Sequence, residues 1–241
     1  MQATVVHLFW AYGGLSALER MACRSFASQG YQTVLWTYGD MPVSVANVEL
    51  RDAREVLPES RIFKYANGSY AGFSNLFRYA VLSRFGGLYA DTDVICLSSI
   101  SALGTTPFLV SERRRNAPGV SINGNLIFNP APQRGDIVDL AYAISDRFPV
   151  DKLRWGDCGP RLLSTLVSTY PSLAFEVRAP DFVNPIPFLE CPRRLLEPGV
   201  RLPESTRFLH CYNEMWRRSD TNKDAPFPKG SLMATLADRF G

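Results

Sequence analysis

Apolar residues gather first between positions 4 and 10, where Val5, Val6, Leu8, Phe9 and Trp10 form a run too short for a helix and dense enough for a buried strand. The Gly13-Gly14 pair predicts a loop at that strand's C-terminal end. Residues 15–28 change to helical spacing, Gly30 closes the helix, and residues 31–38 return to a β-rich run. Strand, loop, helix and strand in that order predict a βαβ unit, and hence an α/β fold with a mostly parallel sheet flanked by helices. Residues 48–51 and Ile62-Phe63 predict further short strands, with a turn or helix over 52–57 between them. Farther on, 107–111 and 120–128 read as strands, the second interrupted at Gly124, and 136–147 and 160–170 as helices. The proline-rich span 171–203 predicts an irregular cover over one end of the sheet, 207–212 an extended run, and 231–240 a last helix. Repeats, low-complexity tracts and linkers are absent, so one domain over residues 1–241 is expected.

The densest chemistry lies in FSNLFRYAVLSRFGGLYADTDVICL, residues 73–97. Phe73, Leu76, Phe77, Ala80 and Val81 recur at helical spacing, while Asn75 and Arg78, three apart, share a different face. Gly86-Gly87 ends the helix, and an extended segment follows. On such a segment Tyr89, Asp91 and Asp93 share one face and Ala90, Thr92 and Val94 the other. Adjacent carboxylates repel unless a cation lies between them, and hard oxygen ligands select magnesium or manganese. A metal beside an arginine suits a departing diphosphate, whose charge develops as the bond to the sugar breaks. Nucleotide diphosphates are therefore the expected ligand class, and the missing glycine fingerprints weigh against a nucleotide-hydrolysing or dinucleotide-binding protein.

Composition narrows the setting. A chain of 241 residues, 46% hydrophobic and 20% charged, can build a sizeable core. No apolar run approaches the roughly 18 to 20 residues that span a bilayer, and the N-terminal run is too short for a signal-peptide core, so a cytoplasmic protein is expected. Five cysteines without CxxC spacing predict reduced thiols, not a disulfide framework or a zinc site. A net charge of +3 without a long basic run argues against nucleic acid as partner. Arg113-Arg114-Arg115, Arg193-Arg194 and Arg217-Arg218 are short clusters that read as solvated charge or as contacts with phosphates or an anionic membrane surface.

Four blocks together are more specific: HLFW at 7–10, FSNLFRY with GGLYADTDV at 73–94, WGDCGP at 155–160 and HCYNEMW at 210–216. In this order they resemble the DXD-containing sugar-binding-region glycosyltransferases, among them fungal initiation-specific mannosyltransferases, animal α1,4-galactosyltransferases and bacterial capsule enzymes. The resemblance implies a Rossmann-like GT-A fold and retaining, metal-dependent transfer from a nucleotide sugar to an acceptor hydroxyl. It implies Mn2+ or Mg2+ and a UDP-sugar ahead of a GDP-sugar. The acceptor would be a carbohydrate or a lipid-linked glycan of surface polysaccharide or glycolipid synthesis, with the arginine clusters holding the enzyme at the inner face of the membrane.

Residue by residue, the resemblance implies that Asp93 ligates the metal and that Asp91 holds the ribose and the metal shell. Arg78 would bind the donor sugar or its phosphate, with Ser74 and Tyr89 in the same pocket. Trp10 would stack on the base, His210 or Asn213 complete the metal sphere, and Trp216 close over the diphosphate. Asp157 would face the sugar, and Asn123 or Asn125 hydrogen-bond it. Asn75 stands where the family usually has aspartate, which keeps an acceptor and loses a charge. That change motivates one alternative, a catalytically weak sugar-nucleotide-binding protein. The other is a haloacid-dehalogenase-type phosphatase, since Asp91-Thr92-Asp93-Val94 fits its nucleophile motif, although that motif belongs on a domain's first strand and here lies near residue 90.

Overall fold

The computed structural model describes residues 4–40, 44–65, 68–99, 101, 103–114 and 118–241; Arg115 of the first arginine cluster lies outside them. In chain order the strands are β1 (Val5–Phe9), β2 (Gln32–Thr37), β3 (Val48–Asp52), β4 (Gly87–Ala90), β5 (Val94–Cys96), β6 (Phe108–Arg113), β7 (Val120–Asn129), β8 (Glu176–Arg178) and β9 (Phe208–His210). The helices are α1 (Ala17–Ser28), α2 (Ala71–Phe85), α3 (Ile137–Ser145), α4 (Pro160–Thr169), α5 (Arg193–Leu196), α6 (Asn213–Arg218) and α7 (Leu232–Phe240). Seven strands form one sheet in the order β3-β2-β1-β4-β7-β6-β8, and β5 pairs with β9 in a separate two-stranded sheet. The pairs β1-β2, β2-β3, β1-β4 and β6-β8 are parallel, as the βαβ pattern predicts, while β7 runs antiparallel to both its neighbours. The ends of β1, β4 and β6 and the start of β7 therefore meet at one sheet edge, where open α/β sheets bind ligands.

Two apolar layers hold the sheet. Phe9, Trp36, Phe73, Phe77, Ile127 and Leu163 belong to the layer beneath α2, α3 and α4. On the other face Leu8, Phe26, Leu35, Leu126 and Phe208 pack under α1, continuous with a cluster that includes Leu18, Trp216, Met233 and Phe240. Helix α2 is covered on nearly every side, Asn75 and Arg78 included, because it lies between the sheet and α3. Such a helix is apolar all round unless a polar side chain has a partner.

The junction of α2 and β4 depends on a glycine and a histidine. Gly87 has φ +93°, and a Cβ there would lie 2.5 Å from the Val5 carbonyl oxygen. Only glycine lets β4 run this close to β1. His7 is buried; its Nε2 bonds the Gly86 carbonyl at 3.0 Å and its Nδ1 accepts from Trp36 Nε1 at 3.2 Å. Burial, against the Gly86 bond, lowers its pKa to about 4. The unfolded chain takes up this proton near pH 6.5 and the folded chain does not, so stability is lost as pH falls from about 6.5 toward 4. In chemical denaturation, the drop in stability between pH 7 and pH 5 should be about 2 kcal/mol smaller in His7→Gln than in the unaltered protein.

One expectation changes. Ile62-Phe63 forms no strand; Phe63 instead packs edge-on against Phe73 at 5.9 Å. Span 171–203 is irregular: β8 extends the sheet's edge, Asn184 bonds the Ser111 carbonyl of β6 and Asn125 of β7, Phe188 lines a cleft, and Ile186, Cys191 and Leu195 pack beside α1 and α7. All five cysteines are buried free thiols. Among the described residues no helix is long and apolar enough to cross a membrane.

Candidate active site

The segment after β4 turns where an extended strand was expected. The Val94 N–H donates to the Asp91 carbonyl at 3.0 Å, closing a turn, and the Asp91 N–H donates to the Asn125 carbonyl at 2.8 Å. The chain then enters β5, in the second sheet. Alternation therefore does not relate Asp91 to Asp93; the turn brings them together. The β5-β9 register sets Val94 opposite His210, so a histidine 117 positions beyond Asp93 arrives at the same turn. Asp91, Asp93 and His210 offer ligand atoms that all lie within 4.8 Å of one another.

Electrostatics tie these groups into two pairs. Asp93 Oδ2 accepts from the Asn213 N–H at 2.6 Å and lies 3.4 Å from His210 Nε2. Burial opposes charge on both, but their mutual attraction prevails: Asp93 is held below the usual carboxylate range and His210 is raised above the usual imidazole value. His210 Nδ1 faces Asn184 Oδ1 at 3.1 Å, which orients the ring. Arg78 Nη2 donates to Asp91 Oδ1 at 2.8 Å, and the guanidinium lies 5.0 Å from the centre of the Tyr89 ring. Asp91 is nonetheless raised above the usual carboxylate range, by burial first and then by the Asp93 charge, against the pull of Arg78. Arg78 Nε is buried without a partner among the described residues.

Strand β7 makes room for that arginine. Its pairing with β6 shifts register between Leu109 and Val110, from Ile127 to Asn123, so residues 124–126 bulge beside the site. Gly124 lies in this bulge, and a Cβ there would be 2.3 Å from Arg78 Nη1. Above these residues opens a cleft of about 980 Å³.

Residues 20–109 match the family described as "Glycosyltransferase sugar-binding region containing DXD motif". Over this stretch the chain is similar to the DXD glycosyltransferases. Among solved structures it is similar to the glycosyltransferase GlyE of Streptococcus pneumoniae TIGR4, at 13% identity and TM-score 0.53, over 99% of this chain and 60% of GlyE. Other similar structures are the PaToxG glycosyltransferase, at 19% identity and TM-score 0.47 over 70% of this chain and 69% of that one, and the galactosyltransferase LgtC in complex with donor and acceptor sugar analogs, at 13% and 0.44 over 98% and 96%. No curated protein matches the chain in sequence. The likeness to GlyE is one of fold, and the seven-stranded sheet with its flanking helices has the GT-A arrangement.

Most residues anticipated for a DXD glycosyltransferase line this cleft: Trp10, Ser74, Asn75, Arg78, Tyr89, Asp91, Asp93, Asn123, His210 and Asn213. Trp10 Nε1 is buried and has no hydrogen-bond partner among the described residues. Three placements differ from expectation. Trp216 is wholly buried, its Nε1 donating to the Cys211 carbonyl at 2.9 Å, because α6 turns it toward the core instead of over the cleft. Asp157 does not line the cleft; it accepts from the Arg154 N–H at 2.8 Å and pairs with Arg161 at 3.0 Å, holding the turn before α4. Asn213 reaches Asp93 by its main chain, while its Oδ1 accepts from Lys223 Nζ at 3.0 Å.

Other cleft residues escaped the sequence reading. Lys223 is a cation at the cleft, tied to the fully buried Glu19 of α1. Glu112 and Tyr212 face the cleft beside His210. Nothing local distinguishes Lys223 or Glu112 from surface charges, because their partners lie far along the chain. The arginine clusters are paired on the surface, Arg113 with Asp181, Arg193 and Arg194 with Glu197, and Arg217 and Arg218 with Glu214.

Proposed function

We propose that this glycosyltransferase is metal-dependent and retaining, and moves a sugar from a nucleotide diphosphate, UDP ahead of GDP, to a hydroxyl of a carbohydrate or lipid-linked acceptor in surface polysaccharide or glycolipid synthesis. The observation that carries the reading is the convergence of Asp91, Asp93 and His210 below a cleft whose wall holds Arg78. Two carboxylates and an imidazole fit a divalent cation, and the imidazole favours manganese over magnesium, whose sites are built from oxygen. The cation, when bound, supplies charge compensation for the departing diphosphate. His210, paired with Asp93, holds a proton more firmly than a free imidazole does, and the ring nitrogen that ligates a metal must be free of it. Arg78, fixed by Asp91, holds the sugar or its phosphate. Trp10 provides a face for the base, Ser74, Asn75, Tyr89 and Asn123 line the sugar's pocket, and Lys223 adds positive charge for the phosphates. Retention, the cellular role and the extension of one domain over all 241 residues are parts of the same reading.

The test is a thermal-shift panel of UDP- and GDP-sugars with and without manganese. One sugar nucleotide should raise the melting temperature by several degrees only when manganese is present. Absence of any manganese-dependent shift across the panel overturns the reading. Binding without turnover would instead favour a catalytically weak binding protein, with Asn75→Asp restoring activity.

A further inference from the structure

Four carboxylates line the cleft among the described residues: Asp91, Asp93, Glu112 and Glu214. Asp91 is paired with Arg78, Asp93 with His210, and Glu214 with Arg217 and Arg218. Glu112 has no ion-pair partner among the described residues. It is half-buried at the end of β6, and its Oε2 accepts from Asn123 Nδ2 at 2.9 Å. A carboxylate kept in a concave site without a cation retains lone pairs for neutral donors, and sugar hydroxyls are such donors.

Its surroundings have the matching composition. Tyr212 holds a left-handed backbone, φ 53° and ψ 68°, a conformation unfavourable for a non-glycine residue. That conformation sets its ring 3.8 Å from the His210 ring and places its hydroxyl beside the Glu112 carboxylate. The Phe188 ring lies 6.1 Å from Tyr212 and also lines the cleft. A carboxylate and an amide next to aromatic faces can take both surfaces of a pyranose, its hydroxyl edge and its apolar face.

Strand order places this group relative to the rest of the site. Trp10 follows β1, Asp91 follows β4, Asn123 lies on β7 and Glu112 ends β6, and these strands are successive neighbours in the order β1-β4-β7-β6. Glu112 is therefore on the opposite side of the Asp91-Asp93 turn from Trp10. With the base at Trp10 and the diphosphate at the turn, the β6 side is left for whatever attacks the sugar.

We propose that Glu112, with Tyr212 and Phe188, forms the acceptor subsite, bordered by Asn123 of the donor sugar's pocket, and that its carboxylate orients the incoming hydroxyl of a carbohydrate acceptor. Glu112 accepts a hydrogen bond there and is assigned no proton transfer. This inference rests on the glycosyltransferase reading above and specifies the acceptor side of the same cleft.

The experiment uses the full chain with manganese and whichever sugar nucleotide the panel identifies. Glu112→Gln and Glu112→Ala are compared with the unaltered protein for donor affinity by calorimetry. Nucleotide release is then followed with water alone and with the methyl glycosides of glucose, galactose and mannose at millimolar concentration. Both variants should keep the donor affinity within about 2-fold, while nucleotide release falls about 100-fold, the scale of a lost positioning contact. Glu112→Gln, which retains one acceptor oxygen, should fall less than Glu112→Ala. Donor affinity that falls together with turnover would place Glu112 in the donor site, and unchanged release would remove it from the reaction; either result overturns the proposal. Failure of the unaltered protein to bind any donor overturns the glycosyltransferase reading itself and this inference with it.

Discussion

Asp93→Asn is expected to lower turnover about 1,000-fold and to erase the manganese-dependent part of the donor's thermal shift. Asparagine keeps the shape and can still accept from the Asn213 N–H, now bonded at 2.6 Å, so the turn should survive. The negative charge that pairs with His210 and stands 3.4 Å from its Nε2 is lost. With that partner gone, His210 loses the largest influence raising its pKa and becomes neutral more readily. Ligation by the imidazole would then be easier, but a site with Asp91 as its single carboxylate holds a divalent cation weakly. The cost to folding should stay near 2 kcal/mol, since the imidazole can shed its proton in place of remaining as an unpaired buried charge. Calorimetric manganese titration with circular dichroism as a folding control decides the matter. A folded variant that binds manganese and donor as tightly as the unaltered chain would show that the Asp91-Asp93-His210 group is not a metal site.

Gly124→Ala should separate stability from activity even more sharply. The new methyl group would start 2.3 Å from Arg78 Nη1, so the guanidinium has to move. Moving the tip of a long side chain costs little, and the melting temperature should change by no more than about 3 °C. Catalysis is less tolerant, because Arg78 is tied to Asp91 at 2.8 Å and has no second acceptor at its buried Nε among the described residues. A displacement of about 1 Å is enough for a loss on the order of 100-fold in kcat, with the metal affinity nearly unchanged. Steady-state kinetics alongside manganese titration measures both quantities. Full activity in Gly124→Ala would mean that Arg78 need not keep its position against Gly124 for turnover.

Much of this molecule is written locally. The alternation of short β-rich runs with helical spacing in residues 4–38 is enough to specify a parallel βαβ unit, because hydrophobic period and turn chemistry act over a few residues. The unit from Phe73 to Val94 likewise announces a helix, a glycine stop and a carboxylate pair in need of positive charge. The family's blocks then name the class of reaction. Where local pattern alone decided between strand and turn, at Asp91 to Asp93, alternation favoured the strand; the turn wins because Val94 pairs with His210 of β9, 116 positions away, in a different sheet.

Tertiary structure decided the rest. His210 reaches the carboxylates through the β5-β9 register, Lys223 through an ion pair with Glu19 of α1, and Glu112 through the sheet order that sets β6 beyond β7. Each of these is a contact between residues far apart in the chain, and no local period encodes such a contact. Trp216 illustrates the same limit in reverse. Its motif points to the cleft, but each residue of a helix is rotated by about 100° from the last, so forming α6 turns this indole into the core and leaves its neighbours Met215 and Arg217 on the cleft. The chemistry of the DXD unit was determined by its residues; which partners it meets was determined by how the chain closes around them.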